Sequence, residues 1–197
     1  MNRALGAALA GLLLVSCRQQ AEAPAAVNNV QAEAPSFGNV VLGNMELPAP
    51  APDLPLLTGR VVDNAELLTP AQEATLNARA ETLERQTGAQ FVIATIPSLG
   101  GRSIAAYATA LGNHWRLGQA DRNNGVLLLI APTERQVRIA IGDGLMSAFA
   151  DAEAQAIIDR DMLPAFRESR FFDGIDRASQ AIAARVTRAG AQQGRRR

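Results

Sequence analysis

The stretch from Gln119 to Gly144 reads QADRNNGVLLLIAPTERQVRIAIGDG and decides the fold of this 197-residue chain. Its unbroken apolar run, Gly125 to Ala131, is typical of a central strand that is covered on both faces. Pro132 to Arg135 predict a turn, and the alternating residues from Gln136 to Ile141 predict a returning strand. The stretch therefore predicts an antiparallel hairpin, which makes the sheet mixed rather than wholly parallel.

Helical patterns stand on both sides of this hairpin. Thr69, Pro70 and Gln72 predict a helix start with a side-chain cap, a proline at the first position and a capping-box glutamine. Ser103 predicts the start of a second helix that ends at Gly118. The remaining predicted elements are a buried strand over Ala89 to Ile96 and helices near Asp151 to Met162, from Pro164, and from about Asp173 to Ala189. Strands interleaved with helices predict an α/β sandwich.

The charged residues exclude several classes of function. The chain has 19 basic and 19 acidic side chains, so it lacks the surplus of cations that a general nucleic-acid binder needs. All of the basic residues are arginine, which excludes Walker-type phosphate loops, Schiff bases and Ser-Lys dyads. A single cysteine cannot form an internal disulfide, and a single histidine, His114, cannot supply a histidine-rich metal site.

The first residues predict export and lipid attachment. Arg3 and the short apolar run that follows it predict a signal peptide over residues 1–16, and the run is too short to span a membrane. The segment Leu14 to Cys17 resembles the lipobox of bacterial lipoproteins, which implies that Cys17 is lipidated and anchors the chain in the membrane. An ordinary cleaved signal with an incidental cysteine is the alternative. Arg18 stands where lipoproteins of the inner membrane commonly have aspartate, and this implies the periplasmic face of the outer membrane.

Three further segments follow from the composition. Residues 17–57 are rich in alanine and proline, which predicts an extended tether between the lipid and the folded part. Residues 58–189 contain the predicted strands and helices and are expected to form one monomeric domain. Residues 190–197 are predicted to be a solvated polar tail.

Several segments of the predicted domain resemble, in order, the motifs of one family. They are Val62 to Leu68, Pro97 to Gly100, Trp115 to Gly118, Asn123 to Leu129, Arg138 to Leu145, and Ile157 to Phe166. This family is the TPM domain family, which includes thylakoid acid phosphatase-like proteins, photosystem II repair proteins and many bacterial envelope proteins. The resemblance covers essentially the whole domain, and it implies an α/β/α sandwich around a small mixed β-sheet.

Polar side chains cluster where the predicted strands begin or end, and they suggest a metal site. Asp63 follows the first extended segment, and Asp143 follows the hairpin. Asp121, Asn123 and Asn124 precede the central strand, and of these Asp121 and Asn123 are the predicted ligands. Loops at strand ends are where ligands bind in open α/β sheets, and carboxylate and amide oxygens suit hard cations. We therefore predict a divalent-cation site, with calcium favoured over magnesium, and the resemblance also implies divalent metal binding. The alternative is that Asp63 and Asn123 only cap turns.

Two functions remain compatible with the sequence. In a metal-dependent phosphatase the cation would polarise a phosphoryl oxygen, and Arg122 or Arg138 would bind the phosphate. Only the resemblance to acid phosphatase-like proteins supports this function, and the sequence identifies no general acid and no nucleophile. The second function is a non-catalytic envelope factor that binds a cation and a membrane-protein partner, as the repair and assembly roles of the family imply. We favour the second, because a fold alone is weak evidence for chemistry.

Overall fold

A computed structural model describes residues 54–194, and the predicted signal peptide, Cys17 and most of the predicted tether lie outside them. The strands are β1 (Val61–Asp63), β2 (Gln90–Thr95), β3 (Gly125–Ala131) and β4 (Gln136–Ile141). The helices are α1 (Pro70–Thr87), α2 (Ile104–His114), α3 (Asp143–Met146), α4 (Asp151–Ile157), α5 (Leu163–Arg167) and α6 (Phe171–Gly194). A π-helical segment, Ile158–Met162, joins α4 to α5.

The four strands form one mixed sheet in the order β1, β2, β3, β4. Strand β1 is parallel to β2, and β2 is parallel to β3, because a helix-containing connection returns the chain each time. Strand β4 is antiparallel to β3, with Ala131 opposite Gln136 and Val126 opposite Ile141. The predicted hairpin is confirmed with the predicted bounds of both of its strands.

Helices cover both faces of the sheet, so the predicted α/β/α sandwich is confirmed. Helices α1, α3, α4 and α6 pack on one face together with the π-helical segment. Among residues 54–194, α2 is the helix that packs on the other face, where Tyr107, Leu111 and Trp115 are buried. Every residue of β3 is buried, as expected for a strand between two layers. None of the helices within residues 54–194 is both long and apolar enough to cross a membrane.

The predicted starts of the first two helices are confirmed by their caps. Thr69 and Gln72 form the capping box of α1, and the backbone N–H of Ala106 donates to the Ser103 hydroxyl at the start of α2. The end of α2 differs from the prediction, since the helix stops at His114 rather than near Gly118. The chain turns out of the helix there because Arg116 adopts a left-handed conformation, with φ of 50°.

The later helices differ from the prediction around Pro164. The predicted helix over Asp151 to Met162 is α-helical only to Ile157, and it then widens into the π-helical segment. Proline lacks an N–H group and cannot donate to the carbonyl four residues earlier. The preceding residue, Leu163, instead donates its N–H to the Ile158 carbonyl, five residues back. The wider turn keeps both Ile158 and Met162 in the core.

The packed domain extends beyond both predicted boundaries. Leu54 packs against the core beneath α2, and the Trp115 indole N–H donates to the Pro55 carbonyl at 2.7 Å. The folded part therefore begins before Thr58. At the other end, α6 continues through Gly194 and passes the predicted boundary at Ala189.

Candidate cation site

The structure places the predicted site residues at two opposite ends of the sheet. Asp63 is the last residue of β1 and pairs with Thr95 of β2. Thr95 in turn pairs with Ile130, near the C-terminal end of β3. Asn123 precedes β3, and Asp143 follows the antiparallel β4, so both lie at the other end. About seven strand residues separate the two ends, a distance of roughly 20 Å. Asp63 therefore does not lie beside Asn123 and Asp143, contrary to the prediction of one metal shell.

Asp63 organises the turn between β1 and α1. One carboxylate oxygen, Oδ1, accepts from the Leu67 N–H at 3.2 Å and from the Thr95 hydroxyl, and Oδ2 accepts from the Leu68 N–H at 2.8 Å. The Thr95 hydroxyl accepts in turn from the Ala65 N–H at 3.0 Å. Since protein donors occupy both oxygens, this geometry agrees with the alternative in which Asp63 caps a turn.

At the other end of the sheet, residues 119–124 meet residues 142–144, and we call these two segments the loop pair. Their backbones touch, because the Gly144 N–H donates to the Asn123 carbonyl at 3.0 Å. A Cβ atom at Gly142 would lie 2.2 Å from the carbonyl oxygen of Asn123. A Cβ atom at Gly144 would lie 1.7 Å from the carbonyl oxygen of Arg122. Only glycine fits such a close approach at these two positions.

The loop pair brings together three of the four predicted metal ligands. Asn123 has a left-handed φ of 44°, which asparagine tolerates better than most residues, and its Nδ2 donates to Asp143 Oδ2 at 3.4 Å. Asp121 lies two residues before Asn123, and its side chain is 80% exposed. Asn123 and Asp143 are therefore in contact, and the exposed Asp121 lies on the same loop as Asn123.

Asn124 fixes the loop pair to the sheet. This buried side chain accepts from the Gln119 N–H through Oδ1 at 2.9 Å and donates from Nδ2 to the Gly88 carbonyl at 3.0 Å. Its own carbonyl accepts from the Gln90 N–H at 3.2 Å. The sequence places Asn124 in the polar cluster before the central strand but not among the predicted metal ligands. Its position directly before a buried strand, where an amide must satisfy its polar atoms, is the signal that could have identified it.

The donor set of the loop pair suits a weakly held hard cation. Asp121 and Asp143 supply carboxylate oxygens, and a half-turn of the Asn123 amide presents Oδ1 where Nδ2 now lies. Calcium takes six to eight oxygens, so water would have to complete the coordination. Across the described part of the chain, no group of three or more His, Cys, Asp or Glu side chains is placed to hold a metal. These few ligands correspond to sites of about 0.1–1 mM affinity.

The two phosphate-binding candidates are also separated. Arg122 lies on the loop pair, and its Nε is 3.8 Å from Asp121 Oδ2. Arg138 is on β4 and pairs with Leu129 of β3. It precedes Asp143 by five residues, so the two residues lie about 17 Å apart along an extended strand. Arg122 is thus the candidate that lies near Asp143, and Arg138 lies toward the end of the sheet that holds Asp63.

Comparison with known proteins agrees with this architecture. The model of the TPM domain family matches residues 61–185. The solution structure of the N-terminal domain of a P. gingivalis protein is similar, with 28% identity and a TM-score of 0.65, over 71% of this chain and 92% of that domain. The BA42 protein of the psychrophilic bacterium Bizionia argentinensis is 14% identical with a TM-score of 0.56, over 64% of this chain and 85% of that one, and supports the fold alone. No curated protein matches the chain.

Proposed function

The chain belongs to the TPM domain family, and from this premise we propose that it is a lipid-anchored envelope protein that acts by binding rather than by catalysis. Its domain takes up a divalent cation at the loop pair, calcium in preference to magnesium. The pairing of Asn123 with Asp143 is the observation that carries this proposal, because it joins two oxygen-bearing side chains across loops in backbone contact.

The proposed biological role is that of an accessory factor in the maintenance or assembly of membrane proteins. A lipid on Cys17 holds the chain at the periplasmic face of the outer membrane, and the tether lets the domain reach a membrane-protein partner. The phosphatase alternative loses support, because Asp63 and Arg138 lie far along the sheet from Asp143. A phosphatase centre built from those residues would not converge on one phosphoryl group.

Calcium is expected to stabilise the whole chain. With a dissociation constant of about 1 mM, 10 mM calcium adds about 1.4 kcal/mol to the free energy of unfolding and raises the Tm by about 3 to 5 °C. Asp143→Asn removes one of the two carboxylates, so its Tm should rise by less than about 1 °C in the same buffer. Differential scanning calorimetry with calcium, and separately with magnesium, measures both values.

A matched control for this experiment is Asp159→Asn. Asp159 is exposed on the π-helical segment and accepts from the Gln155 amide at 2.9 Å, which an asparagine oxygen also does. Its calcium response should equal that of the unsubstituted chain. The absence of a Tm rise with either ion, or an equal rise in Asp143→Asn, would contradict the cation site.

Removal of the thiol at Cys17 tests the lipid anchor. The Cys17→Ser chain, made in a bacterium that processes lipoproteins, should move from the detergent phase to the aqueous phase, because each buried acyl CH₂ contributes about 0.8 kcal/mol to membrane attachment. Ser16→Ala is the control, since it keeps a small residue before the cysteine and should stay in the detergent phase. Immunoblots of the two phases give the distribution. An aqueous unsubstituted chain would refute the anchor.

A further inference from the structure

A cavity of about 570 Å³ lies between the turn that joins β3 to β4 and the connection between α5 and α6. We call it the hairpin cavity. Its apolar lining includes Ile130, Val137 and Leu163, together with Phe166 and Phe171. The two phenylalanine rings pack edge to face with their centroids 5.2 Å apart. This volume falls within the range of sites that bind small ligands or a few residues of a peptide.

The two charged side chains that line the hairpin cavity are both positive. Arg135 and Arg167 line the cavity and are exposed, and neither guanidinium has a hydrogen-bond or ion-pair partner among residues 54–194. Among the acidic side chains nearby, Glu168 and Asp173 accept from Arg170 at 2.6 Å and 2.9 Å. Glu134, in the hairpin turn, accepts from the Ser98 hydroxyl at 2.6 Å. The hydrogen bonds that Arg170 donates to Glu168 and Asp173 raise the pKa of its guanidinium, so Arg170 stays charged beside them. The cavity therefore favours an anion.

The strand beside the cavity offers backbone groups for pairing. Strand β4 is at the edge of the sheet, and the Gly142 N–H donates to the Gly125 carbonyl at 2.8 Å. Along an antiparallel strand, the backbone N–H and C=O of successive residues point alternately toward the partner strand and away from it. Gly142 points toward β3, so Val137, an odd number of residues earlier, directs its N–H and C=O away from β3. In the described part of the chain no group hydrogen-bonds to them. An edge of this kind binds an extended segment of another polypeptide.

We propose that the hairpin cavity binds the C-terminal end of a partner polypeptide whose last side chain is apolar. The terminal carboxylate accepts hydrogen bonds from Arg135 and Arg167, and the last side chain enters the lining beside Phe166 and Phe171. The penultimate amides pair with the outward backbone groups of Val137. This inference describes the chemistry of the partner and rests, in that respect, on the binding role proposed above.

The backbone groups distinguish a polypeptide from a fatty acid. A fatty acid also carries a carboxylate on an apolar body, but it has no amide to pair with the N–H and C=O of Val137. The cavity and the cation site are independent, because the hairpin turn and the loop pair lie at opposite ends of β3. Failure of one proposal can therefore be told apart from failure of the other.

The test uses the whole chain and an N-terminally labelled hexapeptide that ends in valine and phenylalanine. Fluorescence anisotropy should give saturable binding of the peptide with a free carboxylate and at least about tenfold weaker binding of the same peptide as a C-terminal amide. The double variant Arg135→Gln/Arg167→Gln should bind the free-acid peptide about tenfold more weakly or worse. Both side chains are exposed and unpaired within the described residues, so this variant should keep its fold.

The matched control removes the same charge elsewhere. Arg177→Gln/Arg188→Gln changes two exposed arginines of α6 that do not line the cavity, and its affinity should equal that of the unsubstituted chain. Asp143→Asn should also bind the peptide normally, whatever its calcium response. The proposal is overturned if the free-acid and amide peptides bind equally, or if Arg135→Gln/Arg167→Gln keeps full affinity for the free-acid peptide. It is also overturned if the free-acid peptide does not bind at a chain concentration of about 1 mM, which corresponds to a weak binding free energy of about −4 kcal/mol. Equally tight binding of decanoate would overturn the assignment to a polypeptide.

Discussion

Replacing Gly144 by alanine is expected to lower the free energy of unfolding by about 2 to 3 kcal/mol. The new Cβ atom would lie 1.7 Å from the Arg122 carbonyl oxygen and 3.1 Å from the Asn123 oxygen. Both neighbours are backbone atoms, so no side-chain rotation relieves the overlap and one loop must move away from the other. That movement also breaks the hydrogen bond from the Gly144 N–H to the Asn123 carbonyl.

Urea unfolding of the whole chain, followed by the fluorescence of Trp115, measures this loss. Trp115 is the only tryptophan in the chain and is 8% exposed, so its emission reports the packing beneath α2. Gly190→Ala is the control, because its Cβ atom would come no closer than 3.8 Å to Thr87. Alanine in a helix is favoured over glycine by up to about 1 kcal/mol, so the control should be slightly stabilised. Equal stability of Gly144→Ala and the unsubstituted chain would show that the loops are not held in contact.

The hairpin could be predicted from the sequence because its signals are local. The apolar run Gly125–Ala131, the turn that begins at Pro132 and the alternation from Gln136 occupy adjacent residues, and no distant segment competes with them. The capping box at Thr69 is local in the same sense. The sequence pattern does not indicate the π-helical segment, because the missing N–H of Pro164 acts on residues that precede it in a continuous helical pattern.

The composition of the cation site could be predicted only in part. Ligands often bind at the ends of strands. The start of one strand and the end of a neighbouring strand lie at the same end of the sheet only when the two strands are antiparallel. Helix-containing connections make β1, β2 and β3 parallel, so the end of β1 at Asp63 lies opposite to the start of β3 at Asn123. The parallel direction of these strands is what separates the two residues. The hairpin cavity could not be predicted, because its lining comes from α5 and α6 as well as the hairpin.

Asp63→Ala should be the more damaging of two substitutions at the turn after β1. It leaves the N–H groups of Leu67 and Leu68 and the hydroxyl of the fully buried Thr95 without their acceptor, a loss of about 3 to 4 kcal/mol in the free energy of unfolding. Asp63→Asn keeps one acceptor oxygen and should lose about half as much.

The same pair of variants separates a structural role of Asp63 from metal binding. Because Asp63 lies about 20 Å from the loop pair, Asp63→Asn should keep the full rise in Tm with calcium while starting from a lower Tm. Urea unfolding gives the stability, and calorimetry with and without calcium gives the response to the ion. If Asp63→Asn were as stable as the unsubstituted chain but lost its calcium response, Asp63 would be a ligand, and the hydrogen bonds to its carboxylate would not be what holds the turn.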